Sequence, residues 1–509
     1  MSRLPQAPTQ RIDRTKRLSF TYQSKTWTGL AGDTVATALF ENGFRIFSRS
    51  FKYHRPRGLY SLDGESSTTL MQIDHTPNVR AEQTLLREGM RVEAQNVVGS
   101  PELDLMAVNE KFDRFMPPGF YYKRFHKPYR YWPFIMNRIR KAAGLGYVDP
   151  HRPEGVYQDL YLNAEVCVVG GGPAGMAAAL AAAGTGQRVV LLEARPWLGG
   201  YYDWRTKEDP EGRPLFERGR TLAEEVEAQE KIRVFTAATL IGLYTNNHLT
   251  VRQVGGPKDP FVERYLEVRA GSVVVATGCL ERPLIFEHND RPGVMQANTA
   301  VRLARTWGLL PGRAAVVCGG HDLSLEAALD LAEMGVAVEA VADARPEGHD
   351  PELVAALAGA GIPFLPGWTA VEARGKKGVK AVRLAPVAGG GPRIYPCDLL
   401  VASAGLSPHN APLAMAKAKI EYDRETGYFL ATGLPPRVQA AGRILGLDGP
   451  EAVEASGRLA GLKAAAENGA GPSKEMAEEI KAAEDFLAGI GGLKGSATLL
   501  RAPGPGKKA

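Results

Sequence analysis

From residue 165 onward, short β-branched runs alternate with Ala-, Leu- and Glu-rich stretches of helical period. The runs are Val166–Val169, Val189–Leu192, Val273–Ala276, Ala314–Val317, Val336–Val341 and Leu399–Ala402. Brief, continuously apolar runs belong to strands buried on both faces, so the pattern predicts an α/β fold with a doubly wound parallel sheet covered by helices. The first hundred residues read differently. RLSFTYQSKTWTGL at 17–30 alternates polar with β-branched or aromatic positions and breaks at GL and AGD, which predicts a hairpin. Asp33–Asn42 then reads as a helix capped by Asp33. Between the two regions, 111–150 is dense in aromatic and basic residues, with prolines spaced so that no long helix forms before Ile135. SKEMAEEIKAAEDFLAGI predicts one amphipathic helix near the end, and RAPGPGKKA a disordered finish.

These shifts divide the chain. Residues 1–110 form a first small α+β domain and 111–160 an irregular connector. Residues 161–290 with 396–468 form a Rossmann-like dinucleotide-binding domain, interrupted by a second Rossmann-like domain at 291–395. Residues 469–509 form a helical, partly disordered tail.

The chain's 509 residues, 44% of them hydrophobic, suffice for two or three domain cores. Its 62 basic and 56 acidic residues leave +6 with no long block of one sign, which predicts a mixed solvated surface and no nucleic-acid partner. Aromatic and basic interleaving at 120–134, FYYKRFHKPYRYWPF, can mark single-stranded nucleic-acid binding. It equally describes an arm packed on another domain or subunit. Neither a secretory h-region nor a membrane-length apolar run is found, so no membrane association is expected. Cys167, Cys279, Cys318 and Cys397 form no C-x-x-C pair and suggest neither zinc nor disulfides, which points to a reducing cytoplasmic home and no metal site.

The segment AEVCVVGGGPAGMAAALAAAGTGQRVVLLEARPWLGG carries the clearest chemistry. Gly170 allows a tight strand-to-helix turn, Gly172 lets backbone approach a pyrophosphate, and Gly175 lets the helix pack close to the strand. Gly171, Pro173 and Ala174 complete the turn, and the pyrophosphate falls on the positive helix N-terminus. Glu193 ends the second strand, where a carboxylate accepts the ribose hydroxyls and repels a 2′-phosphate, which disfavours NADP. Ala194, Arg195 and Gly200 follow on the same rim. Thr277 and Gly278, in SVVVATGCLERP, sit in a turn similar to the one by which flavoproteins with two dinucleotide domains return to the nucleotide-binding sheet.

A second strand–turn–helix begins at AAVVCGGHDLSLEAALDLAEMG. Only Gly319 and Gly320 remain of the glycine pattern, with Cys318 in its first position and Leu323 in its last. The reading is a decayed site on a retained fold; the alternative is unusual binding through His321 and Asp322.

RSFKYHRPRGLYS, NVVGSPELDLMAVNEKF, VVGGGPAGMAAAL and NDRPGVMQANTAVR together resemble the alpha subunits of heterotetrameric sarcosine oxidase. They also resemble shorter relatives in dye-linked proline dehydrogenase, opine oxidase and hydrogen cyanide synthase, and the likeness covers nearly the whole chain. The resemblance implies a nucleotide-binding alpha subunit of a multi-subunit, flavin-dependent oxidoreductase that acts on the CH–NH bond of a secondary amine or imino acid. It also implies a beta-type, FAD-binding, amine-oxidising partner, possibly further small subunits, and FMN near the subunit interface. No catalytic residue is assigned to this chain. NAD is expected at Gly170–Gly175, with FAD the alternative. Flavoproteins that place FAD here often end in an alanine-glycine-aspartate turn, whereas the similar turn in this chain ends in Arg443.

Two departures accompany the likeness. Sarcosine oxidase alpha continues into a folate-binding domain whereas this chain ends at Ala509, so direct one-carbon transfer to folate is not expected. In the ferredoxin-like (β-grasp) N-terminal module, the C-x4-C-x2-C ligand spacing falls on Ser61, Ser66 and Thr69, and no cysteine precedes Cys167. The expectation is therefore a retained scaffold with no iron–sulfur cluster. A stand-alone FAD- and NAD-dependent reductase would need a second intact fingerprint and, in one subclass, a redox cysteine pair. A redox-silent structural subunit would look identical in sequence.

Overall fold

A computed structural model describes residues 3–115, 119, 127–142, 144, 146–151, 155–256, 259–424, 426–469 and 471–489. The RAPGPGKKA end and 120–126 of the aromatic connector lie outside them. Two compact units are formed. One collects the described residues of 1–153 and 283–405, the other those of 154–282 and 406–497.

In the first unit, Asp13–Tyr22 and Lys25–Ala31 form the expected hairpin, with Phe20 opposite Trp27 and a tight turn at Gln23 and Ser24, both at positive φ. Asp13–Tyr22 also pairs in parallel with Met90–Ala94, and Leu70–Ile73 and Thr76–Arg80 complete a five-stranded mixed sheet. The helix Val35–Glu41 buries nearly all of its side chains. Its cap is Thr34, in a reciprocal capping box with Thr37, and not Asp33 as the sequence suggested. Asp33 is drawn off instead to the Leu30 N–H at 2.7 Å and to Arg3 at 2.6 Å. A further helix, Trp132–Ala142, starts ahead of Ile135 because Pro133 stands in its first turn, where a missing N–H costs nothing.

The same unit holds a parallel sheet in the order Val294–Met295, Leu399–Ala402, Ala314–Gly319, Ala337–Asp343 and Phe364–Pro366. Helices Ala297–Trp307, Asp322–Glu333 and Pro351–Gly359 connect its strands.

The second unit is built on two long strands, Tyr157–Val169 and Glu263–Val275, paired in parallel throughout. At their C-terminal ends Val166–Val169 lies between Val189–Leu192 and Ser272–Val275, with Ile232–Phe235 and Val438–Ala440 flanking them. Toward their N-terminal ends Glu263–Val275 joins an antiparallel meander with His248–Val254 and Ala238–Tyr244. Helices Pro173–Gly184 and Pro450–Asn468 cross closely over this sheet. A Cβ on Gly457 would stand 2.2 Å from the Ala174 carbonyl oxygen, and one on Gly461 would stand 2.3 Å from that of Ala178. The predicted amphipathic helix is present as Lys474–Gly489, tied to its neighbour through Arg458–Glu479 at 2.8 Å and Lys463–Glu484 at 2.6 Å. Among the described residues no helix is long and apolar enough to cross a membrane.

Candidate nucleotide site

Every residue expected at the nucleotide falls in the second unit. The strand ends at Val169 and the chain turns at Gly170, whose φ of +109° is open to glycine and strained for other residues. The helix then starts at Pro173, a residue that misses no hydrogen bond there, and its N-cap is Gly172 with no side-chain cap. The positive end of the helix is thereby left to an incoming anion. Helix and strand touch where Gly175 passes the Gly170 carbonyl, since a Cβ at 175 would lie 1.8 Å from that oxygen.

Glu193 is buried at the end of its strand. Its Oε2 accepts the Gly171 N–H and its Oε1 the Arg195 N–H, both at 2.7 Å. These bonds fix the carboxylate while each oxygen keeps a lone pair for a ribose hydroxyl. Ala194 is exposed. The Arg195 side chain turns along the rim, donating to the Gly200 carbonyl at 3.2 Å over the Trp204 ring. Gly200 has φ +57°, and a Cβ there would come within 2.6 Å of the Gly172 Cα, so the 199–204 loop closes on the glycine turn. Thr277 donates to the His409 carbonyl at 2.9 Å, and the Gly278 carbonyl accepts the His409 N–H at 2.9 Å, which pins the strand-to-loop turn.

Arg443 meets side chains that sequence spacing could not announce. Its guanidinium lies 4.4 Å from the Tyr201 ring centre and 2.8 Å from Asp448, and its carbonyl accepts the Cys279 thiol at 3.1 Å. Burial pushes the Cys279 thiol and the Tyr201 phenol up to about 12 each. Both stay protonated near neutrality, so this rim offers polarity and shape and no thiolate nucleophile.

Below the loop, Arg218 bonds Glu454 at 2.7 and 2.9 Å and Asp209 at 2.9 Å, and the Tyr202 hydroxyl donates to Glu454 at 2.9 Å. Desolvation pushes the Asp209 carboxyl up, but hydrogen bonds from the Arg213 backbone and the Arg218 guanidinium outweigh it and hold the group at about 2. A folded-state value below the unfolded one, about 3.9, gives stability that is present above the unfolded value and lost as pH falls through about 2. Acid unfolding followed by tryptophan fluorescence should therefore be steeper between about pH 4 and 2 in the wild type than in Asp209→Asn. Equal slopes would remove this role.

In the second glycine turn the structure corrects the register. The strand Ala314–Gly319 runs one residue past Cys318, and the helix Asp322–Glu333 is capped by His321. Gly319 therefore holds the first glycine position, His321 the second and Ser324 the third, where Cys318 and Leu323 had been placed. The helix N-terminus decides the register, and His321 fixes it by accepting the Leu323 N–H.

Ser61 and Thr69 are buried in the N-terminal module. The Thr69 hydroxyl donates to Glu82, whose carboxyl burial pushes up to about 7, while Ser66 donates to Thr68 at 2.9 Å.

Comparison with known proteins bears on both regions. Residues 164–454 match the family described as pyridine nucleotide-disulphide oxidoreductase, and residues 15–97 match that of the 2Fe-2S iron-sulfur cluster binding domain. The second match corrects the expectation of an N-terminal domain without an iron–sulfur cluster. The four cysteines of the chain all lie outside 15–97 and hydroxyls are poor ligands for iron, so residues 15–97 supply no thiolate to hold such a group. Over 446 residues the chain is 32% identical to the alpha subunit of sarcosine oxidase from Rhizobium meliloti (strain 1021), which takes in 85% of this chain and 44% of that protein. The counterpart from Corynebacterium sp. (strain P-1) is 28% identical over 87% of this chain and 43% of its own length. An opine oxidase subunit from Agrobacterium tumefaciens (strain Ach5) is 33% identical over 36% of this chain and 38% of its own length. This chain thus spans less than half of the sarcosine oxidase subunits it matches. Among solved structures, L-proline dehydrogenase from P. horikoshii shares the fold with a TM-score of 0.65 at 20% identity, over 95% of this chain and 79% of that one.

Proposed function

Since the chain belongs to the pyridine nucleotide-disulphide oxidoreductase family, we propose that its second unit anchors an adenine dinucleotide at Gly170–Gly175. We further propose that the protein serves as the nucleotide-binding subunit of a flavin-dependent oxidoreductase. One observation carries the reading: an uncapped helix N-terminus, beside a glycine where backbone can approach, faces a buried carboxylate already oriented by two backbone N–H groups. The N–H groups of the turn beyond Gly171, whose own N–H is held by Glu193, receive the pyrophosphate. Glu193 accepts the ribose hydroxyls and Gly200 keeps the loop close. Thr277 and Gly278 shape the opposite wall, and Arg443 faces the ligand's far half as a cation.

The substrate class follows from the relatives, which are named for sarcosine, opines and proline. All are amino-acid-like compounds with a CH–NH bond, and oxidation at that bond is the activity proposed. A bound flavin supplies the hydride acceptor. The relatives named for sarcosine and opines are subunits, which supports a partner subunit for this chain, and the flavin is proposed to lie on that partner. Purifying the native complex, identifying its subunits by mass and extracting its cofactors tests the proposal. A flavoprotein partner that oxidises an N-alkyl or cyclic amino acid is the expected result. A lone chain, or a partner without flavin, would defeat it.

Glu193→Ala should weaken binding of ADP-ribose by about 1–3 kcal/mol, roughly five- to 150-fold, because ribose hydroxyls lose their acceptor in a closed site. Titration calorimetry checks this, and an unchanged affinity would remove Glu193 from the site.

A further inference from the structure

The chain contains a second copy of the strand–turn–helix–strand arrangement that builds the nucleotide site. Element for element, Gly319 stands where Gly170 does, His321 where Gly172 does, Ser324 where Gly175 does and Asp343 where Glu193 does. Even the residues that follow repeat, Ala194–Arg195 in one and Ala344–Arg345 in the other. Their states differ. The helix after Gly172 has no side-chain cap, whereas the His321 imidazole occupies the corresponding place and accepts the Leu323 N–H at 3.1 Å through Nδ1. Glu193 is held by backbone N–H groups and keeps acceptor capacity. Asp343, fully buried, accepts the Arg345 N–H at 2.9 Å, its Nε at 3.1 Å and its Nη2 at 2.8 Å, while the same Nη2 reaches Asp322 at 2.6 Å. His349 lies 3.6 Å from the same carboxylate.

In this fold the two places so filled are those of a pyrophosphate and a ribose. A ligand would have to displace the cap and break a buried arginine–carboxylate pair, leaving Asp343 without its partner. Meanwhile the neighbouring helix Ala297–Trp307 is bound by the N-terminal module. Arg302 meets Asp63 at 2.6 Å, Thr299 accepts the Leu62 N–H at 3.1 Å, and the Trp307 carbonyl accepts Arg3 at 2.6 Å. The Trp307 indole donates to the Gly32 carbonyl at 3.1 Å, and Thr9 donates to that of Arg305 at 2.8 Å.

We propose that the 283–405 body is a dinucleotide fold closed by its own side chains, His321 standing in the pyrophosphate place and Arg345 in the ribose place. It serves instead as the mount on which the N-terminal module is carried.

The test is hydrogen exchange on the full chain, with and without millimolar ADP-ribose, combined with calorimetric stoichiometry. Amides from Gly319 to Ser324 should exchange alike in both conditions, and no more than one equivalent should bind. Nucleotide-dependent protection at Gly319–Ser324, or a second equivalent that Asp343→Asn removes, would overturn the closure. The exchange arm needs no variant and so survives a misfolded one. Failure at the first site is read separately, as absent protection at Gly170–Gly175. For the mount, Arg302→Met should raise exchange in Asp13–Tyr22 about tenfold while leaving ADP-ribose affinity unchanged. Unchanged exchange in that strand would overturn this role.

Discussion

Replacing Gly175 with alanine should abolish adenine dinucleotide binding and destabilise the 154–282 and 406–497 unit by about 3 kcal/mol or more. The added Cβ would meet the Gly170 carbonyl oxygen at 1.8 Å and its carbon at 3.0 Å. Both are backbone atoms held by the strand, so neither can yield as the end of a long side chain would. Relief requires the helix Pro173–Gly184 to lift from the sheet. That helix is itself clasped on its other side, where Gly457 and Gly461 run close to the Ala174 and Ala178 carbonyls. Moving it disturbs a core that includes Val168, Met176, Ala178, Leu191 and Val274 and carries the anion-binding N-terminus away from Glu193. Gly184, in the same helix, has no heavy atom within 4 Å of its missing Cβ, and Gly184→Ala should be neutral or stabilising by about 0.5–1 kcal/mol. Urea unfolding and ADP-ribose titration of the two variants check the contrast. A Gly175→Ala protein that keeps wild-type stability and binding would show that the turn does not depend on this contact.

What could be read in advance follows the range of the forces involved. The parallel strands and the first glycine turn were legible because each is set within about thirty residues by apolar runs, a turn residue with forced φ and a carboxylate at a strand end. Apolar runs such as 189–192 and 399–402 appear with unchanged ends. The second turn slipped by one residue because two adjacent glycines, Gly319 and Gly320, fit either register, and only the helix cap at His321 decides. Asp33 and Thr34 are both good caps by residue type, and the choice came from Arg3, thirty residues away in sequence. The Tyr201–Arg443 contact and the Arg218–Glu454 pair join residues more than two hundred positions apart and left no local trace. The ferredoxin-like module of residues 15–97 was legible, and only the expectation that it carries no cluster is overturned, for a related reason. The reading there rested on the identity of three ligand positions, while the family match rests on the whole module.

Activity toward amines should depend completely on a flavoprotein partner. Hydride transfer needs a flavin ring against the substrate carbon in a water-excluded pocket, with a base or a desolvated amine beside it. In the proposed division of labour, the nucleotide unit of this chain supplies the anchor for an adenosine and its pyrophosphate. The polar groups brought to that rim are held in fixed orientations suited to binding: Glu193 by two backbone amides that leave its oxygens able to accept ribose hydroxyls, Arg195 by the Gly200 carbonyl, Thr277 by the His409 carbonyl and Arg443 by Asp448. Cys279 and Tyr201, which could otherwise act as nucleophile or acid near the far half of a ligand, are pushed up to about 12 by burial and hold their protons at neutral pH. No two of the four cysteines are spaced as a C-x-x-C pair, and burial pushes all four thiols up, so none offers a thiolate near neutral pH. The purified chain supplied with free FAD and sarcosine or proline should therefore leave a dye acceptor unreduced, and its co-expressed flavoprotein partner alone should do the same. The two together should turn over, with Glu193→Ala lowering that activity through loss of nucleotide rather than through loss of the complex. Turnover by the lone chain with added FAD would place the reacting centre within these 509 residues and defeat the proposed division of labour.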